Sequence, residues 1–200
     1  MSLSSRRSDA RANRERILAV AREALAADPE ASIHSIAKAA GVGQGTLYRH
    51  FPTREALVLG VYREGIDDLV VLASSLLDEH RPMRAFRLWC RRFGEYAREK
   101  HGIAALIRSA MSERHFAETY SMMVDAVRRM MQACSDEGEL SDPADPEDFL
   151  QALALFMQLA TTADGLARSE RLLDLAFRGL GARDGPEQTT AYGSKAGAPE

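Results

Sequence analysis

Gln44, Thr46, Tyr48, Arg49 and His50 lie within seven consecutive residues and alternate with Gly45 and Leu47. All five carry hydrogen-bonding groups, and none is a carboxylate. Their chemistry is recognition of polar edges and anions. A glutamine amide pairs at two points with adenine, while hydroxyl and cationic groups bond phosphate. On a helix, Leu47 and Phe51 fall four apart and point inward, which leaves Gln44, Gly45, Thr46, Tyr48, Arg49 and His50 on the outward face. Gly43 and Gly45 weaken such a helix but let its N-terminus approach a partner closely, where backbone N–H groups favour phosphate.

The elements that must hold this face are legible as helices. Ile17, Val20, Ala21, Ala24 and Leu25 repeat at helical spacing and define a first helix ending near Asp28 and Pro29. Ser32 is an N-cap for a short second helix, Ile33 to Ala40, which Gly41 stops. A third is expected from about Gln44 to Phe51, closed by Pro52. In this packing Ile33, Ile36, Ala37 and Ala40 seat the second helix on the first, and Val42 plugs the small core. Three helices with so short a turn between the second and third have helix-turn-helix spacing.

Downstream, Thr53 caps a long helix reaching roughly Glu79, with Val58, Val61, Tyr62, Ile66, Leu69, Ala73 and Leu76 on one face. Pro82 opens the next, which buries Phe86, Trp89, Cys90, Phe93 and Ala97 and stops near Gly102. A short helix from about Ile103 to Met111 precedes one with Met123, Val127, Met130, Met131 and Cys134 in a stripe. The run from Asp136 to Asp148 reads as a solvated turn; it lacks the sixth-position glycine of a calcium-binding loop. Two further helices, about 146–164 and 168–180, are apolar on more than one face. Leu155 and Leu159 fall outside the main stripe of the first. Such breadth favours a second copy of the chain as partner over burial within one chain. The fold class is therefore all-α, with no credible strand. Its division is a helix-turn-helix domain at 1–52, an effector-binding and dimerisation domain at 53–183, and a disordered tail at 184–200.

The stretch Ser32–Leu57, with its Gly-Val-x-x-Gly-Thr-Leu-Tyr-x-His-Phe core and Pro-Thr-Arg-Glu-Ala-Leu continuation, resembles the DNA-binding signature of the TetR family of bacterial repressors over about residues 11–70. That resemblance implies a homodimer joined by its last two helices, double-stranded operator DNA as partner, and a small-molecule effector of unknown identity. It implies base-proximal roles for Gln44, Gly45 and Tyr48 and phosphate contacts by Thr46, His50 and Arg54. Arg49 shares the face. His34 stands where a longer basic residue is common, and Gly43 replaces the usual serine cap. Two readings fit Arg6, Arg7, Arg11 and Arg14: contact with phosphates or a minor groove, or a solvated arm. For the effector, the resemblance points to Trp89, Phe93, Arg108, Met111, Phe116, Tyr120, Met123, Val127 and Phe156 as pocket walls, with Arg87, His101, His115 and Gln158 as further polar groups. Plain core packing accounts for the apolar ones equally well.

Charge supports the division. Residues 1–54 hold nine basic and five acidic side chains, whereas 55–200 hold seventeen and twenty-four. A basic head on an acidic body suits a nucleic-acid partner for the head alone. The five histidines show no metal-ligand spacing, and no nucleophile elbow, phosphate loop or dinucleotide fingerprint occurs, so neither an enzyme nor a cofactor is expected. A purely structural adaptor would have no use for the polar face beside Tyr48. Cys90 and Cys134, with 43 residues between them, read as buried thiols rather than redox sensors. No apolar run suffices for a signal peptide or membrane span, which places the protein in the cytoplasm.

Overall fold

The computed structural model describes residues 3–141, 144–159 and 162–182. Within them the chain forms α1 (Leu3–Ala27), α2 (Ile33–Ala39), α3 (Gln44–His50), α4 (Arg54–Glu79), α5 (Pro82–Lys100), α6 (Ala104–Ala110), α7 (Glu113–Asp136), α8 (Pro146–Gln158) and α9 (Ala163–Gly179). A single 3₁₀ turn, His101–Ile103, links α5 to α6.

Two apolar cores are strung along α4. The N-terminal core joins Ile17, Ala21 and Leu25 of α1 to Ile36 and Ala37 of α2, Leu47 of α3, and Leu57, Val58 and Val61 in the first turns of α4. The larger core joins Ile66, Leu69 and Ala73 of the same helix to Phe86, Trp89 and Cys90 of α5 and to the inner faces of α7, α8 and α9. Ile103 and Ile107 belong to the N-terminal core although they lie far downstream in sequence. α6 is thus packed on α4 as part of the N-terminal core, an arrangement that periodicity alone does not reveal.

Local chemistry fixes most helix ends. The Ser32 hydroxyl accepts from the Ser35 N–H at 3.0 Å, and the Thr53 hydroxyl from the Ala56 N–H at 3.1 Å. Gly41 adopts a φ of 64°, and the Gly41 and Val42 N–H groups donate back to the Lys38 and Ala37 carbonyls. That pairing satisfies the last carbonyls of α2 and turns the chain sharply into α3.

Four expectations need correction. First, α8 stops at Gln158 and α9 starts at Ala163, because the Thr162 hydroxyl caps α9 by accepting from the Gly165 N–H at 3.1 Å. Second, α1 reaches back to Leu3, so the basic arm is helical, and Arg11 there pairs with Glu15 at 2.8 Å. Third, the acidic run is not wholly solvated. Glu139 is buried; it accepts from the Met83 N–H at 2.7 Å and pairs with Arg81 at 3.1 Å. Its carboxylate thereby satisfies the positive end of α5 from a distant loop. Fourth, Trp89 and Val127, expected as pocket walls, are fully buried core, and the Trp89 indole donates to the Leu69 carbonyl at 2.8 Å. The expected tail, 184–200, lies outside the described residues.

Both cysteines are free and buried. Burial pushes the Cys90 thiol far up and Cys134 up to about 12, so neither supplies thiolate near neutral pH. Where α4 and α5 cross, a Cβ added at Gly65 would sit 2.3 Å from the Tyr96 ring. That ring is held by its hydroxyl, which donates to the Tyr62 carbonyl at 3.0 Å, and cannot swing aside cheaply. Two outcomes follow for this core. Native protein treated with iodoacetamide at about pH 8 should leave both thiols unmodified until denaturant is added. Gly65→Ala should lower the unfolding free energy by about 1–3 kcal/mol in urea titration, as overpacking does.

Candidate nucleic-acid interface and effector cavity

The face expected from the sequence is assembled on α3. Leu47 is fully buried and Phe51 nearly so, whereas Gln44, Gly45, Tyr48 and Arg49 are exposed and Thr46 and His50 half-buried. Tyr48 stands 47% exposed, too open for a ring whose role is packing. His34 of α2 reaches across the turn, and its imidazole is hydrogen-bonded to the Gln44 amide. The two helices therefore present one continuous polar surface. Lys38, four residues beyond His34 and exposed, shares that side of α2; its helical spacing from His34 was the available signal. Gly43 caps α3 without a side-chain hydrogen bond, so the first N–H groups of α3 are left for a partner.

Two arginines are committed elsewhere. Arg54, expected at phosphate, turns inward instead, and its guanidinium donates to the Pro29 and Ala31 carbonyls, locking the α1–α2 loop onto α4. Arg14 lies over the Phe51 ring at 4.7 Å. The side chains of Arg6 and Arg7 fall outside the described part of the chain. Arg49 donates to the Gly45 carbonyl at 3.2 Å and keeps the rest of its guanidinium free to reach outward.

A cavity of about 520 Å³ opens between α4, α5, α6, α7 and α8. Phe93, Arg108, Met111, Phe116, Tyr120 and Met123, expected as walls, do line it. Phe156 does not, being packed against the larger core, and Arg87 is drawn off to Asp174 at 2.9 Å and the Phe177 ring at 4.5 Å. His101 and Gln158 lie elsewhere on the exposed surface, and His115 lines a smaller neighbouring pocket with Arg14 and His50. Tyr62, Ile66, Tyr96, Ala97, Lys100, Ala104, Ile107, Thr119, Leu150, Gln151, Ala154 and Leu155 complete the walls. They were missed because each reads as an ordinary core or surface position in its own helix; only the crossing of five helices leaves the gap. No cluster of His, Cys, Asp or Glu among the described residues could hold a metal ion, and no helix there is long and apolar enough to cross a membrane.

Comparison with known proteins decides the family. Residues 17–61 match the model of bacterial regulatory proteins of the tetR family, and residues 81–182 match the C-terminal domain of SbtR-like transcriptional regulators. The chain belongs to the TetR family. Among solved structures it is similar to the TetR transcriptional regulator SCO0520 from Streptomyces coelicolor, with 36% identity and a TM-score of 0.72 over 84% of this chain and 97% of that one. A TetR regulatory protein from Mycobacterium vanbaalenii is also similar, at 28% identity and a TM-score of 0.69 over 87% and 98% of the two chains. No curated protein sequence matches. This TetR-family chain is accordingly a DNA-binding transcriptional regulator rather than an enzyme. It carries an N-terminal helix-turn-helix domain and a C-terminal helical domain.

The inward course of Arg54 generates a prediction. Arg54→Ala should cost about 1–3 kcal/mol of stability through two lost charge-assisted hydrogen bonds. The slope of log affinity for DNA against log salt should stay unchanged, whereas loss of a phosphate contact would reduce it by about 1.

Proposed function

We propose that the protein is a homodimeric repressor that leaves its operator when a small molecule occupies the cavity. The observation that carries this reading is the double position of Ile107. Its side chain is a wall of the cavity and also a buried member of the core that seats α1, α2 and α3. A molecule that displaces α6 must therefore disturb the packing beneath the recognition helix. Gly102, just before α6, adds a second contact, since a Cβ there would lie 2.7 Å from Pro29 in the α1–α2 loop.

Dimerisation through α8 and α9 is supported by Leu159 and Leu175, which stand 42% and 63% exposed on those two helices and outside the cavity. Large aliphatic side chains so open on adjacent elements are the usual mark of a subunit contact. Two α3 helices in such a dimer would enter successive major grooves about 34–36 Å apart. An effector that favours a different tilt of α4 would change that spacing. The resulting coupling is on the order of 1–3 kcal/mol, enough to empty an operator under partial occupancy. In this reading Gln44, Gly45 and Tyr48 meet bases, Thr46, His50 and the N-terminus of α3 meet phosphate, and His34, Lys38 and Arg49 flank them. The setting is the cytoplasm, where the DNA is.

Fluorescence anisotropy with duplex DNA from immediately upstream of the protein's own gene tests the reading. Wild type should bind tightly, prefer that duplex to a scrambled one, and weaken as salt rises. Tyr48→Ala should lose about 1–3 kcal/mol of sequence preference with its melting temperature unchanged, because the ring packs on nothing essential. Equal affinity for scrambled DNA, followed by failure to enrich any sequence from a genomic library, would remove the repressor assignment.

A further inference from the structure

The cavity contains an electrostatic imbalance that its apolar walls do not explain. Two cations line it, Lys100 at the end of α5 and Arg108 on α6, and no carboxylate does. Lys100 is only 6% exposed. Among the described residues its ammonium has no hydrogen bond and no ion pair, and it faces the Tyr96 ring, 5.5 Å away. The acids nearest in the electrostatic surroundings are already engaged. Glu99 pairs with Arg92 at 3.2 Å, and Glu64 pairs with Arg22 at 2.8 Å. Arg22 and Arg92 add further positive charge on that side, and burial lowers the lysine's pKa from its ordinary value.

The other polar groups in the walls have partners. The Tyr96 hydroxyl donates to the Tyr62 carbonyl at 3.0 Å, and the Thr119 hydroxyl to the His115 carbonyl at 2.9 Å. The Gln151 amide donates to the Tyr120 hydroxyl at 3.2 Å. A lysine so largely buried, with no hydrogen bond or ion pair among the described residues, is costly to keep charged, because little of its hydration is replaced. The remaining surface is apolar and partly aromatic, with Phe116 and Tyr120 stacked at 5.5 Å and 14°. Phe93, Met123 and Leu150 extend it.

We propose that the cavity takes an organic monoanion, a carboxylate on an extended apolar body, with the carboxylate received by Lys100 and the body laid along Phe93, Phe116 and Met123. The inference rests on the effector-site reading above and narrows it to a chemical class. The lysine supplies the counter-charge and a strong hydrogen bond, which a neutral ligand of the same shape cannot use. Arg108, exposed on α6 and without a hydrogen bond among the described residues, stands at the same wall and attracts anions of this kind toward it.

Calorimetric titration of the full chain at about pH 7 with decanoate, decanol and decylamine separates charge from chain. Wild type should bind decanoate about tenfold or more tighter than decanol, with decylamine weakest. In Lys100→Met, decanoate should fall to the level of decanol while decanol itself is unchanged, and Lys100→Arg should keep most of the preference. Ligand-free Lys100→Met should also melt above wild type, since an apolar side chain of similar length removes the uncompensated charge. Decanol binding as well as decanoate in wild type, or a decanoate preference that survives in Lys100→Met, overturns the anion assignment and leaves the effector cavity standing. If none of the three chains binds wild type, the effector-site reading fails and takes this inference with it.

Discussion

Leu57, Val58 and Val61 in the first turns of α4 are buried with the three N-terminal helices, while Ile66, Leu69 and Ala73 of the same helix are buried with α5 and α7. One continuous 26-residue helix must therefore satisfy two cores at once. Apolar burial of this kind contributes about 25 cal/mol per Å², so neither core can release the helix without losing a large part of its stability. Every other feature of the molecule is arranged around that constraint. The recognition face is held at one end of α4, the cavity opens beside its middle, and α6 lies against it so that Ile107 touches both.

Small residues set how closely the helices approach and therefore where space is left. Gly65 brings the Tyr96 ring against α4, and a Cβ at Gly94 would meet the Met157 sulfur at 2.5 Å. α5 is thereby drawn tightly to α4 on one side and to α8 on the other. Farther along, near Lys100, α4, α5, α6, α7 and α8 together leave a cavity of about 520 Å³. The cavity is what remains when tight crossings at Gly65 and Gly94 give way to the bulkier Phe93, Phe116 and Met123. Its position is a packing result.

The charged side chains divide along similar lines. Arg22 bridges Glu64 and Asp68 at 2.8 Å each and pins α1 to α4. Arg54 holds the α1–α2 loop, and Glu139 satisfies the start of α5. These groups stabilise the frame because their partners are fixed in place and partly shielded from water. What is left without a structural ion pair among the described residues is then informative: the outward polar face of α3 on one surface and Lys100 within the cavity.

The DNA-binding head was nearly complete in the sequence. Ser32, Gly41, Thr53 and the Leu47–Phe51 pair fix helix ends and inward faces through local hydrogen bonds and a 3.6-residue period, and both act within a few residues of the chain. The all-α class and the exposure of Leu155 and Leu159 followed from the same short-range periodicity. The direction of Arg54 did not, because its acceptors are carbonyls 23 and 25 residues away that only the folded loop presents. Neither did the separation of Trp89 and Val127 from the cavity walls, since a helical stripe tells which side is buried and not against what. Membership of Ile103 and Ile107 in the N-terminal core, and the lack of an ion pair at Lys100 among the described residues, were likewise decided in three dimensions. Periodicity is a property of one helix, whereas a cavity and an unmatched charge are properties of how five helices cross.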